Sequence, residues 1–281
     1  MAIPILKNWK RYFTNTDEGL GSSYERVILN NKLEQICKHF NISTVLEAPS
    51  FGFTGLSGIN SVNLAKDGKQ LTLLDNDESR ITLIKKIWDD LDLQLKIEFS
   101  KQFQSLPFAG NSFDLSWNFS ALWFVEDLSE FLKELSRVTS KAILLSVPNR
   151  SGMGYISQKI LGFKELKRHL KEDNILPKNI KREMKKNGWM LIDSNYIDCP
   201  PWPDIGMPKD KFLKIFGLGW IMKKREHIPM TIMDHYSGKD ADFPNKMLDH
   251  FWFERRAPKL MKAFWAHHKY FLFIPTKQVK N

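Results

Sequence analysis

The chain has 281 residues, 42% hydrophobic and 26% charged, which suits a globular protein with a full core and excludes a disordered or fibrous one. Its net charge of +10 is unevenly spread: residues 1–149 hold 16 Lys and Arg against 18 Asp and Glu, and residues 150–281 hold 26 against 14. Cys37 and Cys199 have no metal or redox spacing and read as two reduced thiols, and no apolar run approaches the roughly 20 residues needed to span a bilayer.

The N-terminal MAIPILKNWKRYF lacks an apolar stretch with a small-residue cleavage site, so no secretory leader and a cytoplasmic location are expected. Residues 1–42 form a helical lead-in, in which LNNKLEQICKHF sets Leu29, Leu33, Ile36 and Phe40 at helical spacing. Val45 and Leu46 then open a strand that ends in Glu47. A loop with Gly52, Gly55 and Gly58 leads into a helix-like segment, and Leu71, Leu73 and Leu74 form a second strand ending in Asp75. Strand, glycine turn, helix and strand make the first half of a nucleotide-binding sheet. An acid closing the second strand stands where a ribose diol would lie, and its two oxygens can accept both hydroxyl protons.

Further strands are predicted at Lys96 to Ser100, Phe113 to Asn118, Ala142 to Asn149 and Trp189 to Asp198, with a closing strand at Lys269 to Thr276. Helix patterns separate them at Asp77 to Asp90, Asp127 to Val138 and Asn179 to Lys186, with Asp77 and Asp127 as N-caps and Asn187-Gly188 as a stop. The alternation predicts a parallel sheet covered on both faces. It is interrupted by a basic insert at 150–178 and by a stretch at 199–268 rich in aromatics, Met, Pro and basic residues.

These pieces together resemble the class I S-adenosylmethionine-dependent methyltransferases, in their small-molecule branch. VLEA with its glycine loop is similar to the family's first motif and LTLLD to the second; Leu106-Pro107-Phe108, Phe113-Asp114 and Glu134…Arg137-Val138 match the segment around the fourth and fifth strands. One departure is plain: Pro49 and Phe51 stand where the first two glycines would be, and the loop is longer than usual before Leu64-Ala65. The resemblance implies an α/β, Rossmann-like, seven-stranded and mostly parallel sheet with an antiparallel last strand, helices on both faces and a helical insertion or lid. It divides the chain into a lead-in (1–42), a cofactor-binding core (43–198, with the 150–178 insert), a substrate or lid insertion (199–268) and a final strand and tail (269–281). It implies S-adenosylmethionine as cofactor, held by Tyr24, Glu47, Ser50, Phe51, Gly52, Gly55, Asp75, Asn76, Gln102, Phe103, Asn118 and Phe119. Gln102 and Phe103 would flank adenine, and the turn at Asn118 and Phe119 would face cofactor and acceptor.

Methyl transfer aligns an acceptor with a good leaving group and needs a base only when the acceptor must lose a proton. The insertion offers His227, Asp234, His235, Tyr236, His250, His267 and His268, of which Asp234 and His235 are taken as the catalytic pair. No metal-binding spacing is present. The aromatics Trp202, Trp220, Phe251, Trp252, Phe253 and Trp265 interleave with basic residues, which suits, in this order, a pocket for a small or lipid-like acceptor, peripheral contact with an anionic membrane, and nucleic acid. Two other classes remain open: a non-catalytic binding protein on a degenerate methyltransferase scaffold, and an NAD(P)-dependent oxidoreductase, which the lack of a compact G-x-G-x-x-G disfavours.

Overall fold

A computed structural model describes residues 9–52, 55–157, 159, 170–202 and 229–276. Trp220 and His227, named above among the insertion's aromatic and titratable residues, lie outside them. The sheet has seven strands: β1 (Thr44–Glu47), β2 (Gln70–Asp75), β3 (Lys96–Phe99), β4 (Phe113–Phe119), β5 (Thr139–Pro148), β6 (Trp189–Ile197) and β7 (His268–Pro275). Their order across the sheet is β3-β2-β1-β4-β5-β7-β6, and β7 runs antiparallel to both β5 and β6. The strand order reverses between β1 and β4, so the carboxyl ends of these two strands frame the crevice where an open α/β sheet takes its ligand.

Side chains alternate across the sheet, and both faces are buried. Val45, Leu73, Leu115, Trp117 and Leu144 face one way, against α1 (Gly19–His39), α2 (Val62–Lys66) and α3 (Glu78–Asp90), where Leu33, Leu64 and Trp88 meet them. Leu46, Leu74, Ile143, Leu145 and Phe271 face the other way, against α4 (Leu128–Val138) and α5 (Pro177–Lys186), whose Phe131, Leu135, Ile180 and Met184 fill that layer. Both expected N-caps form: Asp77 accepts from the Arg80 amide at 3.1 Å and Asp127 from the Glu130 amide at 3.1 Å. The stop at Asn187-Gly188 forms as well, with Gly188 at φ +78°.

Between β6 and β7 lie the short helices α6 (Met233–Tyr236), α7 (Phe243–Leu248), α8 (Phe251–Arg256) and α9 (Lys259–Trp265). Tyr236, Phe243 and Met247 join the core layer of α1. Asn149, just past β5, donates to the Ala263 and Ala266 carbonyls at 2.8 Å each and so pins the end of α9 over the sheet's carboxyl edge.

Candidate functional site

The loop after β1 is tied down from two sides. The Ser50 amide donates to the Leu74 carbonyl at 2.9 Å, and the Gly58 amide donates back to the Ser50 carbonyl at 3.2 Å. From α1, Arg26 donates to the Leu56 carbonyl at 2.8 Å and forms a buried ion pair with Glu18, whose Oε1 also accepts from the Leu56 amide at 2.6 Å. Gly55 sits over that pair at φ +62°, where a Cβ would strike Glu18 Oε1. Gly52 lies against the turn after β4: a Cβ there would fall 1.9 Å from the Phe119 carbonyl oxygen. Two of the glycines thus let the loop backbone approach neighbouring groups closely.

Glu47, at the end of β1, is fully buried and accepts from Ser61 Oγ at 2.6 Å and Asn60 Nδ2 at 3.1 Å. Burial pushes its carboxyl up to about 7, against the pull of those two hydrogen bonds and of Arg26. Asp75, at the end of β2, is also fully buried. Its Oδ1 accepts from Arg80 Nη2 at 2.6 Å, Arg80 Nε at 3.1 Å and the Asp77 amide at 3.0 Å; its Oδ2 accepts from Arg80 Nε at 2.9 Å and Ser50 Oγ at 2.7 Å. A carboxylate offers about four lone-pair positions, so a ribose diol can be received only in exchange for some of these donors. The Arg80 guanidinium lies 4.4 Å from the Phe51 ring centre and 5.4 Å from that of Trp9, and its Nη2 also reaches Asn76 Oδ1 at 3.0 Å.

The other positions expected around a nucleotide divide into two groups. Phe51 and Phe103 are buried in the α4 layer with their ring centres 6.0 Å apart, whereas Gln102 and Asn76 are exposed. Asn118 is buried at the end of β4, where its Nδ2 donates to the Ala48 carbonyl at 3.2 Å. Its Oδ1 makes no hydrogen bond, and neither does Ser120 Oγ or Ser146 Oγ. Ser120 stands at φ +52° and its amide is held by the Ser146 carbonyl at 2.8 Å. Asn118 is in register with Leu145 and Ser146 with Phe119, so the side chains of Asn118 and Ser146 face opposite sides of the sheet, and the unpartnered atoms nearest the β1–β4 switch point are Asn118 Oδ1 and Ser120 Oγ.

Tyr24, on α1, is fully buried. Its hydroxyl donates to Glu254 Oε2 at 2.9 Å, and its ring meets Trp202 edge-on at 5.6 Å. Glu254 also accepts from the Cys199 amide at 2.9 Å, and burial pushes its carboxyl up to about 7. Beside it lies a second group of polar residues. Asp198, just past β6, stands at φ +62° with its Oδ2 2.6 Å from His267 Nδ1 and 3.5 Å from His268 Nδ1. Glu25 Oε2 from α1 is 4.0 Å from the same His268 nitrogen. Burial opposes ionisation of Asp198, but the two imidazoles prevail and hold its carboxyl below the ordinary range. Burial also lowers the pKa of His268, whose ring packs 4.4 Å from that of Phe119. Phe119 therefore joins the two halves: its carbonyl meets Gly52 and its ring meets His268.

Asp234 and His235 lie on α6, where Tyr236 accepts from Asn30 of α1 at 3.0 Å. None of the described hydrogen bonds or ion pairs connects Asp234 or His235 to Asp75, Asn118 or the Asp198 group. His235 Nδ1 is buried without a hydrogen-bond partner. Sequence reasoning weighed His267 and His268 but gave no role to Arg80, Glu25, Asp198 or Glu254. For Asp198 a signal existed, since it is an acid at a strand end like Glu47 and Asp75.

Residues 53–145 match the family described as "Methyltransferase domain". No curated protein sequence matches the chain. Among solved structures, the chain is similar to an S-adenosylmethionine-dependent methyltransferase from Clostridium acetobutylicum, with 9% identity and a TM-score of 0.51, covering 90% of this chain and 92% of that one. It is similar to a chain of the complex between the Haloferax volcanii Trm112 methyltransferase activator and a methyltransferase, with 12% identity and a TM-score of 0.54, covering 95% and 97%. It is also similar to the [4+2]-cyclase SpnF, with 13% identity and a TM-score of 0.50, covering 88% and 80%. At these identities the likeness is one of fold, and one of the three has a cyclase's activity.

Proposed function

We propose that this chain, whose residues 53–145 form a methyltransferase domain on the Rossmann-like sheet of the class I S-adenosylmethionine-dependent methyltransferases, methylates a small or lipid-like acceptor by in-line transfer. The family implies S-adenosylmethionine as cofactor. The observation that carries the reading is the pair of unpartnered buried atoms Asn118 Oδ1 and Ser120 Oγ at the carboxyl end of β4, which borders the switch point of the sheet.

Bound S-adenosylmethionine supplies a sulfonium methyl with an excellent leaving group. The chain's own residues hold and screen it. Asp75 would take the ribose after exchanging donors with Arg80, the loop around Gly52 and the turn from Asn118 to Ser120 would take the methionine portion, and Phe103 would wall the adenine side. Tyr24 and Trp202, whose rings meet edge-on, and Phe119 would line the acceptor side and keep water out. An acceptor presenting a lone pair needs no base; for one that carries a proton, Asp234 and His235 are the proposed pair.

The exposed face of α8 and α9 supports contact with an anionic membrane or a lipid-like acceptor. Trp252, Leu260, Met261 and Phe264 are all exposed there, Leu260 at 87%, among Arg255, Arg256, Lys259 and Lys262. No helix of the described residues is long and apolar enough to cross a membrane.

One observation favours a second reading. The complete engagement of Asp75 by Arg80, Ser50 and the Asp77 amide suits a scaffold that has given up its ribose contact and binds without catalysing. Calorimetric titration with S-adenosylmethionine, S-adenosylhomocysteine and NADH tests both readings and the oxidoreductase alternative. Binding of the two sulfur compounds alone supports the methyltransferase reading.

A further inference from the structure

Three segments far apart in sequence meet behind Phe119: α1 through Glu25, the end of β6 through Asp198 and the start of β7 through His268. All three side chains are buried, with residue exposures of 6%, 1% and 1%. One ligating atom from each lies within 4.8 Å of the other two. Ligands held 2.0–2.2 Å from a common ion stand about 3–4 Å apart, and the printed separations of 3.5 and 4.0 Å from His268 Nδ1 to Asp198 and Glu25 lie in that range.

Two further observations point to a ligand. Asp198 Oδ1 is buried and makes no hydrogen bond, although the same carboxylate's other oxygen is engaged by His267. Asp198 also holds a left-handed backbone, φ +62°, that a non-glycine residue adopts at a cost and that persists where the surroundings require it.

We propose that Glu25, Asp198 and His268 bind a divalent transition-metal ion, with His267 orienting Asp198. Two carboxylates and an imidazole suit Zn²⁺ or Mn²⁺. The three-residue set leaves coordination positions open, and the site adjoins the Phe119 ring, so the ion would coordinate an oxygen of the methyl acceptor. That role rests on the methyltransferase reading, but the binding of the ion does not.

The test uses the full-length protein, freed of metal by chelator and dialysis, titrated calorimetrically with Zn²⁺ and with Mn²⁺ in the absence of any nucleotide. One equivalent should bind at micromolar concentration or tighter and raise the melting temperature. Asp198→Asn and Glu25→Gln should each weaken binding at least tenfold. Should Asp198→Asn fail to fold, Glu25→Gln and the visible spectrum of Co²⁺ bound to the unmodified protein decide the matter. No binding by the unmodified protein, or equal binding by Glu25→Gln, overturns the proposal. A separate titration with S-adenosylmethionine distinguishes the two readings: cofactor binding without metal binding defeats only the metal site, and metal binding without cofactor binding defeats only the methyltransferase reading.

Discussion

Arg80 grips Asp75 through both Nε and Nη2, at 2.6 to 3.1 Å, with the side chains only 7% and 0% exposed. This ion pair sits at the end of β2, the position proposed above for the ribose of the cofactor. Arg80 comes from the first turn of α3, three residues after the N-cap Asp77, so the same helix start that organises the crevice also delivers the cation into it. The guanidinium is further held over the ring of Phe51, in the loop after β1. The unusual loop and the engaged acid are thus one arrangement.

Replacing Arg80 by Gln separates its two effects. A buried carboxylate losing its partner should cost about 3–5 kcal/mol of stability, read by urea denaturation. The freed oxygens of Asp75 should bind S-adenosylmethionine more tightly, by about tenfold or about 1.4 kcal/mol. Weaker binding in a folded R80Q protein would show that Arg80 itself contacts the ligand.

Asp75→Ala should weaken S-adenosylmethionine binding by about 1–3 kcal/mol, through loss of charge-assisted hydrogen bonds. It should also destabilise the protein by about 3–5 kcal/mol, because Arg80 is left buried without its partner. Calorimetry on the folded fraction reads the first effect and denaturation the second; unchanged affinity would remove the ribose assignment.

Gly52→Ala should disturb the crevice more than a surface glycine would. The added methyl meets a backbone carbonyl, that of Phe119, which cannot swing aside. A loss of at least about 1 kcal/mol in stability and a clear loss of cofactor affinity are expected. Gly68→Ala, with open space around its Cβ, serves as the control, although its φ of +77° gives it a strain cost of its own.

Glu47 makes stability depend on pH in a defined direction. Its folded carboxyl is raised from 4.5 to about 7, so the native state binds the proton more tightly than the unfolded chain does. Its contribution is therefore fully favourable below about pH 4.5 and is lost as pH rises to about 7, amounting to about 3–4 kcal/mol. Asn60, Ser61, Arg26 and Asp75 surround it, and Glu47→Gln preserves the shape. Urea denaturation at pH 5, 6, 7 and 8 should show E47Q gaining stability relative to the unmodified protein as pH rises; a constant difference would contradict the assignment.

The face of α8 and α9 is predicted to bind vesicles containing phosphatidylserine. Leu260→Glu combined with Phe264→Glu should abolish co-sedimentation while leaving the melting temperature unchanged, since both side chains are exposed. Unaltered co-sedimentation would remove the membrane from the account.

The framework was legible in the sequence because its signals are local and periodic. Val45 and Leu46, or Leu144 and Leu145, alternate between two core layers, and Asp77 and Asp127 announce their helices by capping them. The acids closing β1 and β2 were legible for the same reason, as were Asn118 and Phe119 at the end of β4. What the sequence did not reveal is long-range partnership. Nothing in the string DNDESR says that Arg80 turns back onto Asp75 instead of facing solvent. Glu25, Asp198 and His268 are each ordinary residues until α1, β6 and β7 bring them within 4.8 Å. The hydrogen bond from Tyr24 to Glu254 spans 230 residues of chain and has no local signal either.

The measurement that bears most directly on the central claim is calorimetric titration of the purified protein with S-adenosylmethionine and S-adenosylhomocysteine, with NADH in parallel. The account predicts micromolar binding of the two sulfur compounds and none of NADH. If neither sulfur compound binds, Arg80 has closed the ribose site for good, and the methyltransferase reading is contradicted in favour of a binding protein on the same fold.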